Sequence, residues 1–396
     1  MVSGNLRDSR ERGGGMQKIR KYLKANEKEM LLLLERLVSV DSGSFHKDGI
    51  DDCGRIVGDE LKTLDFDVEV VVEKEYGNHI MARRAGTGER RLFLLAHLDT
   101  VFPLGAVAKR PFRVEDNFAY GPGVGDIKGG IVQMLYALKA LRALGRDTPP
   151  IYVFLTGDEE IGSVKGRPYI EDLATKSSWV LVMEPASAHD SIGIRRWGLG
   201  AFYLTIYGKA AHVLKPDSDG INACRELALK ILALESLTDT HRGIRVSVNL
   251  VKGGRSRQVT ASEAYADIDV RVRDSVLMEQ IQTQVEKLAG TPILPGIRVE
   301  LRGAMTRPPL EPNSASDALL RIASEVAADI GINVIPIEEY GGSDGCFTAA
   351  LGVATLDGMG PHCYDMCGDD ERIDVRSLVP RTALIAGIIA QLAKQS

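Results

Sequence analysis

Two patterns of apolar residues follow one another along the chain. Short uninterrupted runs, LFLLAH at residues 92–97, IYVFLT at 151–156 and WVLVM at 179–183, are bounded by turn residues and predict strands buried on both faces. KGGIVQMLYALKALRALG, residues 128–145, has its apolar positions at helical spacing. Because such strands and helices alternate, we predict an α/β fold with a mostly parallel sheet flanked by helices.

The pattern changes near residue 197. From there the predicted elements follow the order strand, helix, strand, strand, helix, strand, which is that of a ferredoxin-like α+β sandwich. The α/β pattern then returns. We therefore predict a larger α/β domain formed by residues 16–196 and 305–396, with residues 197–304 inserted as a ferredoxin-like domain. A hinged insert of this kind is suited to closing over a small substrate as a lid.

Composition limits the possible functions. The 396 residues are enough for two domains, and 44% hydrophobic with 26% charged residues is typical of a globular protein. A formal net charge of −5 argues against a nucleic-acid partner, which would require a basic stripe on the surface. No apolar run reaches about 18 residues, so we expect no membrane-spanning segment and no membrane partner.

The N-terminus and the cysteines bear on the compartment. Residues 1–15 lack the apolar core of a signal peptide. We predict a flexible extension there, with Met16 as a candidate internal start. Five cysteines are an odd number without the spacing of a disulfide framework, which favours a reducing cytoplasm.

Acidic and histidine residues come directly after the predicted strands. His97 is the last residue of the first run, and Asp99 comes two residues later. The acids at 158–160 follow the second run, and Glu184 follows the third. Asp126 lies in a glycine-rich loop before the long helix. Ligand sites in open α/β sheets lie at the carboxyl ends of the strands, so we expect these groups at one edge. Any one of them could instead be a helix cap or a surface acid. As a set, histidine and carboxylates predict a site for zinc, manganese or cobalt.

The sequence around these residues resembles the aminoacylase and glutamate-carboxypeptidase family of co-catalytic zinc peptidases. The matching motifs, in chain order, are AHLDTV, YGPGVGDIKGG, TGDEEIGS, MEP, YGKAAH followed by GINA, and GGSDG. The resemblance extends over about residues 20–393 and includes the inserted domain. It implies a metal-dependent hydrolase that cleaves a C–N bond in a small substrate bearing a carboxylate.

The resemblance also implies a role for each residue of the acidic cluster. His97 and Glu184 would bind the first metal, Glu160 the second and Asp126 both, while Asp99 would orient the His97 ring and Glu159 would be the general base that deprotonates the attacking water. The family further implies that the peptide bond between Asp126 and Ile127 is cis.

Five more residues stand at positions that serve the substrate in this family, and one of them, Gln258, departs from the family pattern. His212 would reach across a homodimer, or a higher homo-oligomer, to stabilise the oxyanion, and the inserted domain would form the dimer interface. Arg307 would bind the substrate carboxylate through its bidentate guanidinium. The alternatives are a solvated strand-end histidine and a surface ion-pair partner. Gly342 and Ser343 belong to the GGSDG motif, whose glycines would let substrate approach the backbone. Gln258 stands where the family has an asparagine that positions substrate.

The last metal ligand departs from the family pattern. In the family, a histidine binds the second metal and lies four residues before a glutamate at the start of the final strand. In this chain that glutamate is Glu371. The position of the histidine is occupied by Cys367, and the nearest histidine is His362. Three hypotheses remain open: Cys367 is a thiolate ligand, His362 replaces the missing histidine, or the second site is lost. We favour one firmly bound ion per chain with a weak or absent second site.

The expected substrate is an N-acyl amino acid or a dipeptide. A nitroanthranilate aminohydrolase is related to this family and expels ammonia from an electron-poor aromatic carbon, so aromatic deamination is an alternative. A non-catalytic binding protein is a third hypothesis, from a different class. The retained Glu159 argues against it, because a binding protein needs no general base.

Overall fold

The computed structural model describes residues 2–187, 189–214 and 219–396. The chain divides into two compact units. Unit 1 comprises Met1–Ile194, Pro312–Glu338 and Ser343–Ser396, and unit 2 comprises Arg195–Glu311 and Glu339–Gly342. Arg307, which lies beyond the predicted end of the inserted domain, therefore belongs to unit 2.

The helices and strands of the described residues are as follows. The helices are α1 (Val2–Ala25), α2 (Glu27–Val38), α3 (Lys47–Lys62), α4 (Ala106–Lys109), α5 (Gly130–Ala143), α6 (Arg167–Thr175), α7 (Ala223–Glu235), α8 (Ser275–Gly290), α9 (Ser314–Ile330), α10 (Gly345–Ala350) and α11 (Val375–Leu392). The strands are β1 (Asp67–Val71), β2 (His79–Arg84), β3 (Leu92–His97), β4 (Arg113–Glu115), β5 (Phe118–Tyr120), β6 (Ile151–Thr156), β7 (Trp179–Val182), β8 (Ser191–Arg196), β9 (Gly198–Tyr207), β10 (Ile244–Gly253), β11 (Glu263–Val272), β12 (Arg298–Arg307), β13 (Ile335–Glu339), β14 (Ala354–Leu356), β15 (Cys363–Tyr364) and β16 (Arg372–Asp374). Short helical turns at Val124–Gly129 and Glu159–Ile161 carry several of the predicted site residues.

The main sheet of unit 1 has the strand order β1-β2-β6-β3-β7-β14. Strands β6, β3, β7 and β14 run parallel, which confirms the predicted mostly parallel sheet. In β3, Leu92 and Leu94 belong to one apolar core and Phe93 and Leu95 to another. Both faces of the strand are therefore buried, and this is why the run LFLLAH contains no polar residue before its last position.

The sheet of unit 2 is antiparallel throughout, with the order β10-β11-β9-β12. Buried and more exposed residues alternate along β9 and β11, because only one face of this sheet packs against helices α7 and α8. Asn222 and Asp274 cap those helices by accepting hydrogen bonds from backbone amides of the first turn. The order β-α-β-β-α-β confirms the predicted ferredoxin-like fold.

A small antiparallel sheet in unit 1, β15-β16-β5-β4, brings together two distant loops. Strand β5 leads into the glycine-rich loop that contains Asp126, and β16 follows the loop that contains Cys367. Because β16 pairs directly with β5, these two loops lie side by side.

The prediction of a flexible extension over residues 1–15 is wrong for the described residues. Helix α1 begins at Val2 and continues to Ala25. Its residues Met16, Ile19 and Leu23 are buried in the core of unit 1, and this packing stabilises the helix.

Helix α11, at the end of the chain, is the one described helix long and apolar enough to cross a membrane by length and composition. Its mean hydropathy is 1.3, and 72% of it is buried inside the protein. That degree of burial is what a core helix of a globular domain requires.

Candidate metal centre

His97 lies at the end of the buried strand β3, and its side chain is only 2% exposed. Its Nε2 is 3.1 Å from Asp126 Oδ1 and 3.5 Å from Glu184 Oε1. Its Nδ1 is 3.0 Å from the backbone oxygen of Asp99. The contact at Nδ1 thus fixes the orientation of the ring, and Nε2 is directed towards two carboxylates, as expected for a histidine that binds metal.

Asp99 connects the end of β3 to the turn after β6. Its Oδ1 accepts a hydrogen bond from the backbone amide of Glu159 at 3.0 Å, and its Oδ2 accepts one from that of Glu160 at 3.1 Å. The hydroxyl of Ser44 donates to Oδ2 at 2.7 Å. The buried carboxylate of Asp99 therefore fixes the backbone that carries both glutamates, a contact that the sequence pattern did not predict.

Glu160 faces the same cluster. One ligand atom from each of His97, Asp126 and Glu160 can be chosen so that all three lie within 4.8 Å of one another. Oε1 of Glu160 is buried and has no hydrogen-bond partner among the described residues. Burial, reinforced by the charge of Asp126, raises the pKa of Glu160 well above its usual range. A buried carboxylate oxygen without a donor requires a proton or a cation.

The electrostatics of His97 lead to the same conclusion. Burial lowers its pKa, but hydrogen bonds to Asp126, Asp99 and Glu184 outweigh burial and raise the pKa well above the usual range. The cluster therefore attracts positive charge in a buried place. One imidazole, several carboxylates and a buried oxygen without a donor fit a divalent metal such as zinc or manganese.

Asp158, the first acid after β6, is separate from this cluster. Its Oδ2 accepts a hydrogen bond from the backbone amide of Lys165 at 2.6 Å, and its carboxyl group is buried. Burial raises the pKa of Asp158 to about 6. The side chain shapes the turn between β6 and α6.

The loop that carries Asp126 is held by Glu371. The peptide bond between Asp126 and Ile127 is cis, as predicted. Glu371 Oε1 accepts hydrogen bonds from the amides of Gly125 at 2.8 Å and Asp126 at 3.1 Å, and Oε2 accepts one from Gly123 at 3.2 Å. Burial raises the pKa of Glu371 to about 7. Sequence reasoning used Glu371 only to count back to Cys367 and missed this contact, because the two loops are some 245 residues apart.

Cys367 lies next to the predicted metal ligand Asp126. Its Sγ is 3.2 Å from Asp126 Oδ2. The loop between β15 and β16 directs the thiol there, with Cys367 itself in the left-handed region at φ 61°. The cysteine is therefore beside the carboxylate that the family pattern expects to bridge two metals.

His362 makes different contacts. Its Nε2 is 2.9 Å from the backbone nitrogen of Asp190 and 2.9 Å from Asp190 Oδ1. The hydrogen bond with His362 lowers the pKa of Asp190. With Nε2 engaged in this way, His362 has not taken the position of the missing histidine in the structure.

In unit 2, the segments of His212 and Gln258 lie together. His212 forms an antiparallel bridge with Val259, and the amide of Val213 donates to the backbone oxygen of Gln258 at 3.1 Å. The His212 ring is exposed, and its Nδ1 accepts a hydrogen bond from the amide of Leu214 at 3.3 Å. Nε2 of a neutral His212 ring is then the protonated nitrogen and can act as a donor.

Arg307 ends strand β12 and is 4% exposed. Its Cδ lies against Gly342, where an added Cβ would be only 2.7 Å away, so a larger residue there would displace the arginine. The next residue, Ser343, belongs to unit 1 and donates its hydroxyl hydrogen to Asp357 Oδ2. The GGSDG motif thus contributes one residue to the surroundings of Arg307 and another to a buried hydrogen bond in unit 1.

The sequence model of the Peptidase family M20/M25/M40 matches residues 93–391. The chain belongs to this family. Carboxypeptidase G2 of Pseudomonas sp. (strain RS-16) is 30% identical over 370 residues, which are 91% of this chain and 88% of that protein. Succinyl-diaminopimelate desuccinylase of Alkalilimnicola ehrlichii is 27% identical over 368 residues, 86% of this chain and 93% of that protein. The predicted family is confirmed, and the M20/M25/M40 chain is a hydrolase acting on C–N bonds.

Solved structures have the same fold. Aminopeptidase PepT of Bacillus cereus matches with a TM-score of 0.78 and 19% identity, covering 93% of this chain and 99% of that one. The YXEP protein of Bacillus subtilis, a dinuclear metal-binding peptidase of the M20 family, matches with a TM-score of 0.68 and 16% identity, covering 94% and 100%. At these identities the likeness establishes the fold, and the family together with the cluster around His97 supports a divalent metal.

Proposed function

We propose that this M20/M25/M40 hydrolase cleaves the amide bond of an N-acyl amino acid or a dipeptide that carries a free carboxylate. The observation that carries the proposal is the buried His97, whose Nε2 faces Asp126 and Glu184 at 3.1 and 3.5 Å. A divalent cation held there would polarise the substrate carbonyl and lower the pKa of the attacking water.

Glu159 is the general base of the proposed reaction. Its backbone amide donates to Asp99, which fixes this residue next to the proposed ligand Glu160, and Glu159 is not one of the proposed ligands of the ion. It accepts the proton of the attacking water and delivers it to the leaving amine.

Two residues of unit 2 serve the substrate in this proposal. Arg307 binds the carboxylate, and its burial beside Gly342 limits the number of conformations that its side chain can adopt. Gln258, whose backbone oxygen accepts a hydrogen bond from the amide of Val213 beside His212, helps to position the substrate.

His212 stabilises the oxyanion, donating from Nε2, and it does so for the partner subunit of a homodimer. Support for a dimer through unit 2 comes from the edge strand β10, which carries the exposed apolar residues Leu250 and Val251. Leu232 on the adjacent helix α7 is 72% exposed. Exposed edges with apolar side chains invite pairing with a second chain.

We further propose one firmly bound ion per chain, held by His97, Asp126 and Glu184. A second ion would have Asp126, Glu160 and the thiol of Cys367, and no imidazole other than that of His97, which the first ion occupies. None of the five cysteines is in a disulfide, which supports a reducing, cytoplasmic setting.

A second candidate is the hydrolytic deamination of an electron-poor aromatic amine that carries a carboxylate. The observation in its favour is the thiol of Cys367 beside Asp126, at the position where the family pattern has a histidine. In that reaction water would add to the ring carbon, and Glu159 would take its proton and return it to the departing amino group, which leaves as ammonia.

A substrate panel tests both candidates. Protein loaded with zinc, manganese or cobalt is offered N-acyl amino acids, dipeptides and nitroanthranilate, each beside its carboxyl methyl ester. We expect turnover of one class of free acid, a large loss with its ester, and loss of activity with a chelator that added metal restores. Equal turnover of acid and ester, or no turnover of any C–N substrate, contradicts the proposal.

A further inference from the structure

Unit 2 contains a pocket that the proposed catalytic residues do not use. It lies on the face of the antiparallel sheet opposite helices α7 and α8, beside the short segment Glu339–Gly342, and has a volume of about 510 Å³. Its lining includes Trp197, Tyr340 and two arginines of the sheet. A volume of this size suits a small molecule.

The two arginines face each other. Arg245 on β10 is directly opposite Arg271 on β11 in the antiparallel register. Like charges at such positions repel, so the pair is unfavourable unless negative charge lies nearby. Asp269 supplies one negative charge, because its Oδ1 accepts a hydrogen bond from Nε of Arg271 at 2.9 Å. Arg271 also donates to the backbone oxygen of Tyr340 at 3.1 Å.

Arg245 is left without such a partner. It is exposed, and within the described chain no hydrogen bond or ion pair involves its guanidinium. Asn249 also lines the pocket; its Oδ1 accepts a hydrogen bond from the Ser247 hydroxyl at 2.8 Å, and among the described residues its side-chain NH₂ group has no acceptor. The pocket therefore offers one uncompensated positive charge and further donors.

An aromatic wall completes the pocket. The rings of Trp197 and Tyr340 are 5.3 Å apart between centroids and tilted by 57°. Trp197 is 7% exposed and therefore fixed, whereas Tyr340 is 65% exposed and open to a ligand. Aromatic faces of this kind bind a flat apolar group.

We propose that this pocket binds a small aromatic monocarboxylate. The carboxylate pairs with the guanidinium of Arg245, which matches it bidentately, and the aromatic group packs against Trp197 and Tyr340. A single negative charge is preferred, because Asp269 already neutralises Arg271 and repels a dianion. All lining residues belong to unit 2, so this proposal does not rest on the proposed hydrolysis.

Fluorescence of Trp197 tests the pocket directly. The chain has two tryptophans, and Trp179 is buried in unit 1, so Trp179→Phe leaves Trp197 as the only reporter. In this background we expect benzoate to change the fluorescence saturably, with phenyl phosphate and acetate binding more weakly. Arg245→Ala should weaken benzoate binding at least about tenfold, since a charged hydrogen bond is lost.

Two further variants locate the ligand. Arg225, exposed on helix α7 and therefore on the opposite face of the sheet, provides the matched control, and Arg225→Ala should leave benzoate binding unchanged. Asp269→Asn should strengthen the binding of phenyl phosphate relative to benzoate. Far-UV circular dichroism and the Tm of each variant confirm that it is folded.

The proposal is overturned if Arg245→Ala binds benzoate as tightly as its parent. It is also overturned if Arg307→Ala abolishes the fluorescence change while Arg245→Ala does not, because benzoate would then be binding at the proposed substrate residues. Binding is measured without turnover, so an inactive preparation does not affect the result.

Discussion

The two units hold their functional histidines in contrasting surroundings. In unit 1 the side chain of His97 is 2% exposed, and its ring nitrogens lie within 3.5 Å of carboxyl oxygens of Asp99, Asp126 and Glu184. In unit 2 the ring of His212 is exposed and accepts one hydrogen bond, from the amide of Leu214. Unit 1 thus fixes its groups before any ligand arrives, whereas the exposed ring of His212 would gain further partners only from a bound substrate or a second subunit, as we propose.

The contrast follows from the sheets. Parallel strands buried on both faces end at one edge and place their last side chains in a space shielded from water. An antiparallel sheet covered on one face leaves the other face and its edge strand open to ligands or a second chain. We infer that unit 1 supplies the metal ligands and the general base, whereas unit 2 supplies the groups that bind the substrate and its oxyanion, and the following variants test that division.

Glu159→Gln should have the largest effect. General-base catalysis contributes about 10²- to 10⁴-fold, so kcat should fall at least about a hundredfold. Metal content, measured by elemental analysis, should be unchanged, because Glu159 is not one of the proposed ligands. Near-normal activity in this variant would place the base elsewhere and remove the chemical role of unit 1.

His212→Ala should lower kcat by about 10²- to 10³-fold, the loss expected when one oxyanion donor is removed. Mixing it with Glu159→Gln subunits should restore part of the activity, since a heterodimer then contains one site with both groups intact. His241→Ala, which removes another exposed histidine of unit 2, is the control and should keep full activity. If subunits demonstrably exchange and no activity returns, His212 does not act across the interface.

Glu371→Gln should weaken metal binding by about 10- to 100-fold, which is typical when a group that supports a ligand is changed. The glutamine side chain keeps one acceptor oxygen, but its NH₂ group replaces the other oxygen and faces a backbone N–H of the Asp126 loop, which it cannot accept. Competition with a chelator measures the affinity. Asp370→Asn removes the same charge from an exposed neighbour and should leave the affinity as it is. Equal affinities for both variants would show that Glu371 does not position Asp126.

Cys367→His should have the smallest effect on turnover but should raise the metal content from about one ion per chain towards two. An imidazole beside Asp126 and Glu160 completes a set that borderline metals prefer. Cys224→Ser in unit 2 is the control and should not change the count. Two equivalents in the unsubstituted protein, with the Cys367 sulfur about 2.3 Å from zinc, would show instead that the cysteine is itself a ligand.

Local pattern was sufficient to predict the architecture. The run LFLLAH predicted the buried strand β3, because a strand with two covered faces has no position for a polar residue. The order of the elements after residue 197 predicted the ferredoxin-like insert. The N-terminal prediction failed because residues 1–15 carry no strong helical signal of their own. Their helix continues from a segment held by Met16, Ile19 and Leu23 in the core.

The candidate site was predictable as far as it depends on strand ends. His97, Asp126, Glu160 and Glu184 were recognised because each follows a strand or a glycine-rich turn, and motif resemblance gave their expected roles. Tertiary structure alone decided which atoms meet. Cys367 reaches Asp126 from 241 residues away because β16 pairs with β5, and Glu371 arrives at the same loop by the same pairing.

His362 illustrates the same limit. The sequence left it as an alternative ligand, and only packing revealed its pairing with Asp190, 172 residues away. Periodicity along the chain records which face of a strand or helix is buried, because burial depends on the element's own pattern. The partner of a polar side chain depends on which elements become neighbours in space. Which elements become neighbours is decided by the packing of the whole sheet, and no local stretch of the sequence contains that information.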